Sequence, residues 1–367
     1  MARIRFNATY RRDNRLIQSN ARWFWIGVLA LLLLYLPHIL TRHDFLGIPL
    51  SSNLVLGLGL NQINVALISI VAAVALNVLT GYAGLISIGN AGFFALGGGI
   101  GAFFGVQQHH PFLLVLLYAA VAGAIVGVIV GLPSLRVRGL YLLLATLAFQ
   151  QIAYYLFLKY QKANFGEVGA VFSSPTLFGG WELGSDTRWY YFLLIFAVLT
   201  VVGALNLLRT RQGRALVAVR DQDIAAASAG INVGTVKVKA FALSSAVITV
   251  AGAIYTWYLG VAQADIFSIA LALTFIAMII IGGLGSVTGA VFGALLYTLL
   301  PQVITTTSSN IGADAPVIGK LLSANGPQVA DIILGLLIII IVIYKPEGLN
   351  GIWLSIKRFF VRWPYTS

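Results

Sequence analysis

Long apolar runs return along almost the whole of this chain, and they limit its fold more than any other feature. Ten stretches, 23–41, 54–79, 86–106, 112–132, 139–158, 189–208, 240–261, 266–284, 287–301 and 328–344, are dominated by apolar side chains. About 20 apolar residues in a helix cross the hydrocarbon of a bilayer. The expected fold is therefore all-α, a polytopic membrane protein of about 10 transmembrane helices. Charged residues are only 9% of the 367, against roughly 25% in a soluble domain. The third, eighth and ninth stretches are Gly-rich, so they also read as broken or re-entrant elements packed inside protein.

The net charge of +12 is an orientation signal, not a nucleic-acid footprint. Lys and Arg collect in the cytoplasmic loops of membrane proteins. With the N-terminus inside, 18 of the 23 basic residues fall on the cytoplasmic side; Arg42, Lys159, Lys162, Arg188 and Lys320 fall outside. An odd number of spans would spoil this separation. The expected organisation is a basic cytoplasmic segment 1–22, a transmembrane domain 23–344 and a basic cytoplasmic tail 345–367. Within the domain, the cytoplasmic loop 209–239 and the external loop 159–188 are long enough for work. No small-x-small cleavage site follows the first apolar run, so that run reads as an uncleaved span.

Several chemistries are excluded. The chain has no Cys, hence no disulfide, thiol catalysis or Cys-ligated metal. His38, His43, His109 and His110 pair with no carboxylate at metal-ligand spacing, so no metal, cofactor or catalytic residue is expected. A phosphate-binding loop needs Gly, four residues, then Gly-Lys-Ser/Thr. Gly319-Lys320 is followed by Leu321 and has Asp314 at the first Gly position. Ion-coupled carriers bury carboxylates as relays; here only Asp331, near the start of the last stretch, is a candidate. If transport is active, another subunit supplies the energy.

Three Gly ladders at four-residue spacing, Gly97/Gly101/Gly105, Gly123/Gly127/Gly131 and Gly285/Gly289/Gly293, predict close helix crossings. Two lie in the broken-looking regions, where a Gly-rich wall could also slide or open. Uncharged polar residues dot the spans. Among them Asn77, Ser87, Asn90 and Gln150 are expected to approach a central solute path, because a polar group facing lipid is costly.

One segment stands apart. Gly213 to Asn232 is charged and Ala-rich, and reads as a helix over Gly213–Ala229 stopped by Gly230. It would present Leu216, Val217 and Ile224 between charged edges, a docking surface for a soluble partner. It lacks the bulky apolar anchors of a helix lying on lipid.

The chain resembles the permease subunits of branched-chain amino-acid ABC importers of the LivM type. The resemblance rests on an ordered set of pieces. They are Leu76–Gly84 with Ser87–Phe94, Leu135–Leu142 with Thr146–Phe149, Gly213–Asn232, Lys239–Ser244, Gly282–Ser286 with Gly289 and Gly293-Ala294, and Lys345–Gly351. It implies a permease in the bacterial plasma (inner) membrane, paired with a homologous second permease. It also implies two cytoplasmic ATPase subunits and an extracytoplasmic solute-binding protein. The family's Ala-Ala-x-x-x-Gly core falls on Ala225, Ala226 and Gly230, which assigns ATPase coupling to Gly213, Arg214, Arg220, Asp221, Asp223, Ala225, Ala226 and Gly230. Two positions depart from the pattern: Ile224 stands where importers carry Glu, and Asn90 where members often carry His. The implied solutes are branched-chain or other neutral amino acids. Urea, short amides and aromatic acids are the alternatives within the family, and an ion-coupled carrier or channel is the alternative outside it.

Overall fold

The structure, a computed structural model, describes residues 20–42, 44–45, 48–49, 59–135, 139–177, 180–311, 326–345 and 347–362. Most of the basic segment 1–22, Arg136, Arg138 and much of the 302–326 loop lie outside the described residues. The chain divides into two units, Met1–Leu56 and Gly57–Ser367. The first contains α1, Asn20–Arg42, and a hairpin of β1, Asp44–Phe45, with β2, Ile48–Pro49. Leu29, Leu31 and Leu32 of α1 are exposed, as on a helix that meets lipid or another subunit.

The second unit is a helical bundle. Its long helices are α2 (Leu60–Asn77), α3 (Asn90–Ile100), α4 (Phe112–Gly131), α5 (Leu140–Asn164) and α6 (Asp186–Arg209). The short α7 (Arg211–Asp221) and α8 (Asp223–Ser228) follow, then α9 (Val233–Leu259), α10 (Ile269–Gly282), α11 (Val287–Ile311), α12 (Gly326–Tyr344) and α13 (Gly348–Arg362). A helix lies in each of the ten expected stretches, but among the described residues only six are long and apolar enough to cross a membrane unaided. A seventh results if the α12–α13 pair, bent by 57°, counts as one span.

The shortfall has local causes. The third stretch does not begin at 86, because residues 83–89 form an open break around Gly84 (φ +70). The eighth yields a helix of 14 residues, about 21 Å at 1.5 Å per residue. It stops where Gly283 (φ +112) and Gly285 (φ +77) adopt conformations closed to other residues. The ninth, by contrast, runs on through Pro301 to Ile311.

Two helices form the centre. The Leu60–Tyr82 span is 83% buried and α9 61%, while the other four spans are 17–28% buried and keep apolar faces for lipid or a partner. Tight crossings hold the centre. A Cβ on Gly123, Gly127 or Gly131 of α4 would strike Thr249, Ser245 or Phe241 of α9. One on Gly97 of α3 would strike the Thr249 carbonyl, and one on Gly293 the Met278 carbonyl. The ladders therefore work as packing seams, with Gly101 in ordinary contact and Gly285 recruited to a turn.

Loops gather at two ends. At one, the 83–89 break, the 210–232 segment, the 283–286 turn and the start of α13 meet: Gly84 lies under the Arg220 side chain, and the Thr288 hydroxyl donates to Asn350 Oδ1 at 3.1 Å. At the other, β3 (Ala170–Val171) pairs antiparallel with β4 (Val261–Ala262), and the Ala264 N–H donates to Gln161 Oε1 at 2.7 Å.

Candidate functional site

The segment expected as one helix over 213–229 is two. Gln222 is extended (φ −161, ψ 110) and separates α7 from α8. The ends are well capped. Thr210 Oγ1 accepts from the Gly213 N–H at 3.2 Å, and Asn232 Oδ1 accepts from the Thr235 N–H at 3.0 Å. Gly213 has no room for a Cβ against the backbone of Leu207 and Leu208. Gly230 (φ +81) closes α8, its N–H donating to the Ala227 carbonyl while the Ile231 N–H donates to that of Ala226. This is the Schellman pattern, which needs the left-handed region.

The faces also differ from expectation. Leu216 and Val219 are buried against the bundle and Val217 is half-buried. Only Ile224, 70% exposed, still offers the apolar docking contact expected of all three. Arg214 is exposed and donates to the Arg209 carbonyl at 2.9 Å. Ala225 is exposed and Ala226 buried, so the Ala-Ala core straddles the surface.

Arg220 and Asp223, expected at the docking edge, reach into the protein. Arg220 Nη1 donates to the Gly81 carbonyl at 2.8 Å, and its Nε and Nη2 clasp Asp221 Oδ1 at 3.2 and 3.1 Å. Lys237 Nζ of α9 donates to Asp223 Oδ2 at 2.7 Å, with the two side chains only 8% and 18% exposed. One bolt fixes the segment to the end of the α2 span; the other fixes it to α9.

Arg220 lands where two helix breaks cross. The α2 span ends in a wide π turn, Val78–Tyr82, whose Ala83 N–H reaches back to the Val78 carbonyl. Such turns interrupt the regular ladder, often at functional sites. Gly81 there packs backbone to backbone on Gly285 of the 283–286 turn, with no space for a Cβ. Asn77 staples the contact, donating to the Ser286 carbonyl at 2.8 Å and accepting from the Gly285 N–H at 3.0 Å. The Val287 N–H adds a bond to the Tyr82 hydroxyl at 3.2 Å.

The four expected path residues are all 1% exposed or less. Asn77 sits on the Gly81–Gly285 side. Ser87, Asn90 and Gln150 belong to the contact between the 83–90 break and α5, where the Ile88 N–H donates to Thr146 Oγ1 at 3.1 Å. Asn90 Nδ2 donates to the Ser87 carbonyl at 3.0 Å, and Gln150 Nε2 to the Phe267 carbonyl at 2.9 Å. Asn90 Oδ1 and Gln150 Oε1 remain buried with no protein partner.

Sequence reasoning missed Lys237, Tyr82 and Ser286. Lys237 carried one signal, a second Lys inside the apolar start of α9 beside Lys239. Tyr82 and Ser286 act through backbone groups of a distant turn and leave no local trace.

A bundle of long apolar helices, with a charged, capped segment tied to two of its helix breaks, suits a membrane permease. The chain belongs to the branched-chain amino acid transport system permease component family, whose model matches residues 59–342. It is accordingly a multi-pass protein of the bacterial inner membrane. The high-affinity branched-chain amino acid transport system permease protein LivM of Escherichia coli (strain K12) is 29% identical, over 77% of this chain and 68% of the relative. The LivM of Salmonella typhimurium matches equally, and a probable LivM of Methanocaldococcus jannaschii is 26% identical over 65% and 67%. No solved structure matches.

Proposed function

We propose that this chain forms half of the translocation path of an ATP-driven importer for branched-chain or other neutral amino acids. In this reading it pairs with a homologous permease, two cytoplasmic ATPase subunits and an extracytoplasmic binding protein. The reading takes both termini and the 209–239 loop to be cytoplasmic, a sidedness supported by the excess of Lys and Arg in those parts of the sequence. The observation that carries the proposal is the double bolt of Arg220 and Asp223. A partner that moves α7 and α8 pulls at once on the α2 span, α9 and the 283–286 turn. The exposed Ile224 and Ala225 meet the ATPase, and the buried residues pass the movement on.

Among the described residues no Asp or Glu within the spans is buried, and the partly buried Asp223 is paired with Lys237 outside them. A proton- or sodium-coupled carrier uses such intramembrane groups, which favours the ATP-driven reading. Co-purification with ATPase subunits and ATP-dependent uptake is the test. Uptake that continues without ATP and collapses with an uncoupler would indicate a carrier. Ligand specificity of the partner binding protein separates amino acids from urea, amides or aromatic acids.

Asn77, Ser87, Asn90 and Gln150 reach the path only when the breaks part, and the unpartnered oxygens of Asn90 and Gln150 are then free to meet solute. The chain has no native Cys, so single Cys substitutions report this directly. Labelling by a water-soluble thiol reagent is expected to rise at least about tenfold between nucleotide states for Cys at 87, 90 and 150, a change in opening of about 1.4 kcal/mol. Uniform silence in every state would make them packing residues.

Gly230→Pro is expected to abolish uptake while leaving expression intact. Pro fixes φ near −65° and has no N–H, whereas Gly230 uses φ +81 and donates a hydrogen bond. Gly230→Ala meets open space and only backbone strain, about 1–2 kcal/mol, so it should retain partial uptake. The ratio of solute moved to ATP hydrolysed measures both.

A further inference from the structure

The geometry points to a binding site for an anionic phospholipid in the furrow between α6 and α9, its headgroup at the root of the coupling segment. α6 and α9 each pack on α2 and leave a groove floored by Val74, Ala75 and Val78. The groove encloses about 430 Å³ and is almost wholly apolar, walled by residues such as Phe196, Leu199 and Val247. It adjoins a second cavity of about 650 Å³, with Val78, Leu207 and Leu243 lining both.

The second cavity is chemically different. Arg211, Arg214 and Lys239 line it together with Gln212, Asn232 and Thr235, and no acid does. The three basic side chains are exposed, and among the described residues none of them forms an ion pair, though Arg214 donates to the Arg209 carbonyl. An apolar trench ending in a basic, hydrogen-bonding mouth, at the level where α6 ends and α9 begins, matches acyl chains below a phosphate. Basic pockets between spans on the cytoplasmic side are of the kind that hold anionic headgroups. A neutral or purely apolar occupant would leave the three basic residues that line the mouth without a counter-charge. The mouth is built from both flanks of the coupling segment, so a bound headgroup would tie α7 to the start of α9.

Gly203 lines the groove, is exposed, and a Cβ there meets nothing within 4 Å. In the Cys-free full-length chain, Gly203→Cys labelled with bimane reports on chains in the groove. The labelled protein is placed in phosphatidylcholine vesicles containing brominated phosphatidylglycerol or brominated phosphatidylcholine. Half-maximal quenching is expected at an about tenfold lower mole fraction of the anionic lipid, because basic residues near a surface attract anionic headgroups and salt screens part of that attraction. Arg211→Gln/Arg214→Gln/Lys239→Gln should erase the preference. Lys159→Gln/Lys162→Gln, at the opposite end, should keep it. Equal quenching by both lipids, or a preference surviving the triple variant, overturns the proposal. So does absence of quenching by either, which would mean that a protein subunit fills the groove. Competition by millimolar inorganic phosphate would also overturn it, in favour of a soluble-anion site.

Discussion

Asp223→Ala is expected to lower stability by about 3–5 kcal/mol, the usual result of leaving one member of a buried ion pair alone. Lys237 Nζ lies 2.7 Å from Asp223 Oδ2 with its side chain 8% exposed, so water cannot replace the lost carboxylate. The contrast within the protein is Lys162–Glu167, at 3.0 Å but 52% and 82% exposed. Breaking that pair by Glu167→Ala should cost about 0–1 kcal/mol. Asp223→Ala/Lys237→Met removes both charges and should recover most of the stability, because a matched apolar pair is often as stable as a buried ion pair. It should not recover uptake per ATP, since α8 then loses its ion pair to α9. Thermal unfolding of the purified complex and the uptake-to-hydrolysis ratio separate the two effects. Full recovery of uptake in the double variant would show that the bolt serves folding alone.

Gly81→Ala is the second large effect. Its Cβ would overlap the Gly285 backbone and Asn77 Oδ1, and neither can retreat without breaking the Asn77 staple. Overpacking costs about 1–3 kcal/mol when neighbours can shift, and here the neighbour is main chain. Uptake is expected to fall more than about tenfold, the counterpart of about 1.4 kcal/mol. The control is Gly335→Ala on α12, which meets nothing within 4 Å. It should be neutral or slightly stabilising, as Ala favours a helix over Gly by about 1 kcal/mol. A Gly81→Ala complex with normal uptake would show that the two breaks need not touch.

Much of this molecule was legible in its residues. A helix lies in each of the ten apolar runs, because hydrocarbon demands long helical stretches, but among the described residues only six, or seven with the bent pair, are long and apolar enough to cross a membrane. The Gly ladders named real crossings: Gly123, Gly127 and Gly131 do face α9. What stayed hidden is what depends on partners distant in sequence. Nothing around Arg220 reveals that its guanidinium ends on Gly81, 139 residues away. The charge pattern of 213–230 marked out a segment of its own, but polarity alone does not show that Arg220 also bonds the bundle or that Asp223 is mostly buried. Their charges are instead satisfied by a helix-terminal carbonyl and a buried Lys. The break at Gln222 was equally invisible, since Gln is a sound helix former. Asn77, Ser87, Asn90 and Gln150 stood out as costly polar groups, and the fold shows that cost met in part by backbone partners across the breaks.

Arg220 is proposed to carry motion from the ATPase to the crossing of the breaks. The decisive measurement is solute transported per ATP hydrolysed, with the assembled complex in vesicles, for the native chain and for Arg220→Gln. Gln keeps a donor but is too short to reach Gly81 from the same backbone position. The native complex should import only with ATP and binding protein present. Arg220→Gln should assemble and hydrolyse ATP at a comparable rate, yet import at least about tenfold less per ATP, a loss of about 1.4 kcal/mol of coupling. An unchanged ratio in a well-assembled Arg220→Gln complex would contradict the account.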